Sequence, residues 1–259
     1  TDARPTTFYG VVNRLGSGRR ARLVKTPDAG TLWTTVPFAA SAPYAPFRVS
    51  LAPVAGLACA PDLPGTCYVA DADAVLTVEG DGARTTAHPL PGSGPVTAVI
   101  VAPSSPNVLY AGTYANIHAG PGRPWKSVDH GATWTELPLD DLFVALLAVD
   151  PGDAQTVFAV GTHLGRSTDG GATWSTAGLD LSARVVGLAT APGAVYVGLA
   201  PTGGDPFAPA TIWKSTDAGA TWTALGAGPP SVLTMLAVDP TAGTLYAGTE
   251  AGVYVWTQP

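Results

Sequence analysis

The sequence predicts an all-β chain folded as a β-propeller of four-stranded antiparallel blades, and three observations predict it. An octet of the form Ser-x-Asp-x-Gly-x-Thr-Trp stands at 127–134, 167–174 and 215–222, with a looser copy from Thr26 to Trp33. Short apolar runs recur around the octets in one order, bounded by turn residues. Turn starts at 26, 77, 127, 167 and 215 are separated by 51, 50, 40 and 48 residues, the period of a four-stranded blade.

Residues 96–138 serve as the template. Val96 to Val101 reads as strand A, the cluster from Pro103 to Asn107 as a turn, and Val108 to Thr113 as strand B. A loop leads to strand C at Trp125-Lys126-Ser127, the octet turns the chain, and Thr133 to Leu137 forms strand D. The same order gives approximate repeats at 6–37, 54–90, 96–138, 143–178, 184–225 and 232–258, within a single domain spanning 1–259. The first copy resembles B, C and D without an A. The last resembles A, B and C without a D, so 22 strands are expected. Six blades with thin terminal ones fit best; five follows if terminal strands share a blade, and seven is the least favoured count. A closed ring leaves few sheet edges exposed, so the two ends are expected side by side.

Composition agrees with this reading. Of 259 residues, 46% are hydrophobic and only 12% charged, about half the usual charged share. The 31 Gly and 25 Pro fall between apolar runs as turn punctuation. A net charge of −6 argues against a nucleic-acid partner, and no apolar run reaches the roughly 18 residues of a membrane helix. Cys59 and Cys67 flank a turn-rich spacer and fall on the A and B strands of one repeat. A hairpin disulfide is expected there, which fits an oxidising, extracytoplasmic compartment; two buried free thiols are the alternative. No His or further Cys lies near enough to make a metal site.

Each residue of the octet has a turn-building reason. The Asp carboxylate accepts bonds from its own turn, the Gly permits a left-handed backbone, and the Trp buries a large surface beside strand D. The structural set is Asp28, Trp33, Ser127, Asp129, Gly131, Trp134, Ser167, Asp169, Gly171, Trp174, Ser215, Asp217, Gly219 and Trp222. One Asp per turn supplies too few oxygens for calcium, and no cofactor or metal is expected.

The octets resemble Asp-box (BNR) repeats, as found in sialidases, sortilin-type receptors and Ycf48-like photosystem II assembly factors. That resemblance is specific for fold and weak for activity, since sites are grafted onto folds independently. It implies that any site lies away from the octets, on the end formed by B–C and D–A loops. Those loops are the longest in the chain, and long loops in compact domains often carry function. The first holds Arg14, Arg19, Arg20 and Arg22, with Arg48 and Arg123 expected on the same face. Guanidinium forks suit carboxylate, phosphate or sulfate; a solvated basic loop is the plainer alternative. Tyr44, Phe47, Tyr114 and Phe207 are candidates for sugar stacking or protein contact. Asp140 and Asp141 are candidate acids or bases, and His118 and His163 fall in B–C loops.

A sialidase-like reading finds little support. Phe47-Arg48-Val49-Ser50 only faintly matches that family's Phe/Tyr-Arg-Ile-Pro segment, and it follows the first octet instead of preceding it. The glutamates are Glu79, Glu136 and Glu250 alone. A Tyr246–Glu250 pair is conceivable, but two carboxylates placed to flank a glycosidic bond are not visible. The expected function is therefore a non-enzymatic extracytoplasmic propeller that binds a protein or an anionic glycan, as a scaffold or as a subunit of a larger complex. A sialidase-like glycoside hydrolase is the alternative.

Overall fold

A computed structural model describes residues 7–13, 21–28, 30–36, 56–71, 74–91, 94–114, 121–139, 143–179, 184–200, 209–229, 231–239 and 243–256. They build a six-bladed, all-β propeller with 22 strands in six antiparallel sheets and, among the described residues, no α-helix. Blade 1 is β1 (Phe8–Asn13), β2 (Ala21–Thr26) and β3 (Thr34–Val36). Blade 2 is β4 (Leu57–Cys59), β5 (Cys67–Ala70), β6 (Ala74–Glu79) and β7 (Arg84–Pro89). Blade 3 is β8 (Val96–Val101), β9 (Leu109–Thr113), β10 (Pro124–Ser127) and β11 (Thr135–Glu136). Blade 4 is β12 (Leu146–Asp150), β13 (Asp153–Val160), β14 (Leu164–Ser167) and β15 (Ser175–Thr176). Blade 5 is β16 (Arg184–Ala191), β17 (Ala194–Ala200), β18 (Thr211–Ser215) and β19 (Thr223–Ala227). Blade 6 is β20 (Leu233–Val238), β21 (Leu245–Thr249) and β22 (Gly252–Trp256). In every sheet consecutive strands are neighbours, as short turns between antiparallel strands require.

The core lies between blades. Among the described residues five apolar clusters are present, and each joins two consecutive blades. One register position of the B strand, opposite Thr77, Lys126, Arg166 and Lys214 of the C strands, is the pivot. Tyr68, Tyr110, Phe158 and Tyr196 occupy it in blades 2 to 5, and all four are buried. Each sits in the cluster shared with the following blade. Full burial of one such ring contributes roughly 1.5–3 kcal/mol. Polar ties run in the same direction: the Tyr110 hydroxyl donates to the Ala154 carbonyl at 2.9 Å, and Lys126 Nζ donates to the Gly170 carbonyl at 3.1 Å.

Cys59 and Cys67 form a disulfide between directly paired positions of β4 and β5. The eroded turn after β6 has a role of its own. Asp81 takes the left-handed backbone, with φ 56°, at its tip. Its carboxylate accepts from the Tyr9 hydroxyl at 2.6 Å and from Lys25 Nζ at 2.7 Å. That turn therefore ties blade 2 to blade 1. Among the described residues the first and last strands do not share a sheet, since β1–β2–β3 and β20–β21–β22 are separate.

Candidate binding face

The two ends of the blades are chemically different. At one end the A–B and C–D turns meet: His130, in the third blade's octet, lies 3.0 Å from Asp62 in the second blade's A–B turn. All four octets are at this end, and three are nearly superimposable in their bonding. Ser127 Oγ donates to Asp129 Oδ1 at 2.7 Å and accepts the Gly131 N–H at 2.9 Å. Asp129 in turn accepts the Thr133 N–H at 2.9 Å and the Thr133 hydroxyl at 2.6 Å. The Trp134 ring N–H donates to the Gly131 carbonyl at 2.9 Å. The turns at 167–174 and 215–222 repeat every one of these bonds.

These bonds stabilise the ionised carboxylate. The Thr133 and Thr173 hydroxyls, helped by their own N–H groups, pull Asp129 and Asp169 down to about 2. Asp217 is lowered in the same way by Thr221. Every oxygen of these carboxylates is engaged in its own turn, which leaves little for catalysis. Each of these octets bonds chiefly to itself.

At the other end the described residues form one small cluster, where blades 3 and 4 meet. Tyr114 and Phe143 pair through an isolated antiparallel bridge, and their rings stack with centroids 5.7 Å apart at 17°. Both rings are half-buried. The backbone beneath is closely knit: Thr113 Oγ1 donates to the Arg123 carbonyl and accepts the Arg123 N–H, each at 3.0 Å. The Val144 N–H donates to the Thr113 carbonyl at 2.9 Å. A Cβ at Gly122 would stand 2.5 Å from that carbonyl oxygen, so only glycine fits there. The Arg123 guanidinium forms an ion pair with Glu136 across the blade's outer strands. His163 occupies the β13–β14 hairpin on this end, exposed, with Nδ1 3.0 Å from the Thr162 hydroxyl. Among the described residues no group of three or more His, Cys, Asp or Glu is arranged to hold a metal.

Of the residues singled out from sequence, Tyr114 and Arg123 are thus placed, and Arg22 lies in β2. Arg14, Arg19, Arg20, Tyr44, Phe47, Arg48, His118, Asp140, Asp141 and Phe207 lie outside the described residues. Phe143 is the functional candidate that sequence reading missed. It reads there as the end of a loop, and only the bridge to Tyr114 reveals it as the second half of an aromatic shelf.

No protein-family model and no curated protein matches this chain. Solved structures do. An ancestral GH74 enzyme aligns over 97% of this chain with a TM-score of 0.69 at 17% identity. The GH74 enzyme of Niastella koreensis aligns over 80% with a TM-score of 0.60 at 23% identity. The chain spans a little over a third of each, 37% and 36% respectively. YCF48 bound to D1 peptide aligns over 79% of this chain and 63% of its own, with a TM-score of 0.55 at 12% identity. The extracellular domain of a one component system from B. thetaiotaomicron aligns over 90% of this chain and 31% of its own, with a TM-score of 0.58 at 14% identity. At these identities the likeness establishes the β-propeller fold and nothing narrower.

Proposed function

We propose that this chain is a propeller binding module, and that the end away from the octets holds its partner, a protein or an anionic glycan. The carrying observation is the asymmetry between the two ends. One is filled by repeated, self-satisfied turns; the other carries the Tyr114–Phe143 shelf, and it is the end to which the sequence reading assigns the loops that do not repeat. A flat aromatic pair over a rigid backbone suits the face of a sugar ring or an extended peptide. The arginines at 14, 19, 20 and 22 supply forks for carboxylate or sulfate groups. The disulfide agrees with an extracytoplasmic setting, and no helix among the described residues is long and apolar enough to cross a membrane.

The octets support placement among Asp-box propellers, and the fold neighbours include a peptide-bound YCF48. A glycoside hydrolase is the second reading, favoured by the GH74 neighbours. One experiment separates the two. The protein is titrated against sialylated, sulfated, uronate-bearing and neutral oligosaccharides, and each is assayed for turnover. Binding without turnover, lost on Tyr114→Ala and on neutralising Arg14, Arg19 and Arg20, supports the module. Turnover of any glycoside establishes the hydrolase. If the protein binds none of the sugars and captures no protein from its native source, the module reading fails.

A further inference from the structure

Near the octet end, a row of side chains faces from each of blades 1 to 4 toward the blade that follows. Lys25, Thr77, Lys126 and Arg166 hold this row, opposite Tyr9, Tyr68, Tyr110 and Phe158 in register. In the following blade the tip of the C–D turn is a left-handed residue: Asp81, His130, Gly170 and Ala218, with φ of 56°, 55°, 71° and 53°. Where the row residue is a lysine, the tip supplies its acceptor. Asp81 does so with its carboxylate, 2.7 Å from Lys25 Nζ, and Gly170 with its carbonyl, 3.1 Å from Lys126 Nζ.

The seam between blades 4 and 5 breaks this pattern. A Cβ added at Gly170 would stand 2.4 Å from Lys126 Nζ, so that carbonyl is reached only because the tip has no side chain. Ala218 carries the Cβ and has no carboxylate to offer in exchange. Both oxygens of the neighbouring Asp217 are engaged by Ser215 and Thr221. Arg166 is left without an acceptor. Its Nε is buried with no hydrogen-bond partner, and it enters none of the ion pairs among the described residues. The turns of blades 4 and 5 at this end, 150–153, 168–174, 191–194 and 216–222, are all described. A buried donor left unsatisfied is costly, the more so on a charged group, and such a group points to an acceptor that the chain does not itself supply.

We propose that Arg166 holds a small oxyanion in this seam, its planar guanidinium fork bonding two oxygens of a sulfate, phosphate or carboxylate. The site lies between two blades at the octet end, so it is separate from the partner-binding end proposed above and stands or falls independently of it.

The test uses the full chain, titrated with sodium sulfate, phosphate and acetate against sodium chloride at equal ionic strength. The Arg166 Nε–H signal, assigned by its loss in Arg166→Gln, is followed by heteronuclear NMR, with thermal melts in parallel. Sulfate or phosphate should shift the signal saturably and raise the melting midpoint above its chloride value, as a ligand of the folded state does. A saturable shift with acetate as well extends the site to carboxylates; its absence confines the site to tetrahedral oxyanions. Ala218→Asp gives this seam the acceptor that Asp81 gives Lys25, so it should abolish the shift with the circular dichroism spectrum unchanged. No saturable shift with any of the three salts overturns the proposal. So does a midpoint rise of the same size in the unaltered chain, Arg166→Gln and Ala218→Asp, which would be a general salt effect.

Discussion

The first octet and the three interior ones are nearly the same turn in different surroundings. At 26–33 the Thr26 hydroxyl donates to Asp28 Oδ1 at 2.6 Å and accepts the Gly30 N–H at 2.9 Å, and Asp28 Oδ1 accepts the Leu32 N–H at 2.9 Å. This matches the interior bonding except that the threonine hydroxyl is missing and the Trp33 ring N–H does not repeat the bond that Trp134, Trp174 and Trp222 make to the octet glycine. The interior glycines are buried beneath the preceding blade, whereas Gly30 is exposed. Local hydrogen bonding therefore shapes the turn wherever the octet occurs, and blade packing decides how much energy depends on it.

Substitutions at matched positions should separate these contributions. The largest contrast lies at the B-strand pivot. Phe158→Ala should cost about 3–5 kcal/mol, the cavity value for a buried aromatic, while Tyr246→Ala, at the same register of the last blade but 38% exposed, should cost under about 1 kcal/mol. Denaturant midpoints check both, and equal losses would mean that the last blade is covered. Next come the octet glycines. Gly171→Ala sets a left-handed penalty of about 1–2 kcal/mol on top of overpacking against Leu137 of about 1–3 kcal/mol. Gly30→Ala should show only the first of these.

Acid should affect the interior turns in a defined window. Asp129 and Asp169 titrate near 2 when folded and near about 3.9 when unfolded. A lowered folded value means that their contribution is fully present above the unfolded pKa and is lost as pH falls from about 4 toward about 2. Replacing both with Asn should flatten that part of the stability profile, as measured by denaturant titration at several pH values. The smallest effect is expected at Ala218. Its φ of 53° is left-handed without glycine's freedom, so Ala218→Gly should raise stability, by less than about 1 kcal/mol, in a thermal melt.

Sequence reading recovers most of the architecture because the octets repeat at blade period and short apolar runs recur around them in one order. It also recovers the Cys59–Cys67 hairpin, since a turn-rich spacer between two apolar runs brings paired positions together. The left-handed residue before each interior octet glycine was not legible. Gly170 fits that conformation, but His130 and Ala218 adopt it only because Ser and Asp bond the turn from both sides. Nor was the link from Asp81 to Tyr9 and Lys25, because an eroded repeat loses the pattern that would mark it. At the candidate site Tyr114 was visible as an aromatic in a long loop, but its partner Phe143 was not, since a cross-blade bridge has no spacing signal. The arginine loop is legible as charge alone: Arg22 is placed only by its strand, and Arg14, Arg19 and Arg20 lie outside the described residues.

The central claim is that the octet end is architecture and the opposite end binds. Capture of a partner from the native source by immobilised protein tests it most directly, with three forms compared: the unaltered chain, a variant with Tyr114, Arg14, Arg19 and Arg20 all changed to Ala, and a variant with the exposed octet-tip residue Val128 changed to Glu. The account predicts that the second form loses its partner while the third retains it, both remaining folded by circular dichroism. Retention by the second form and loss by the third would contradict it.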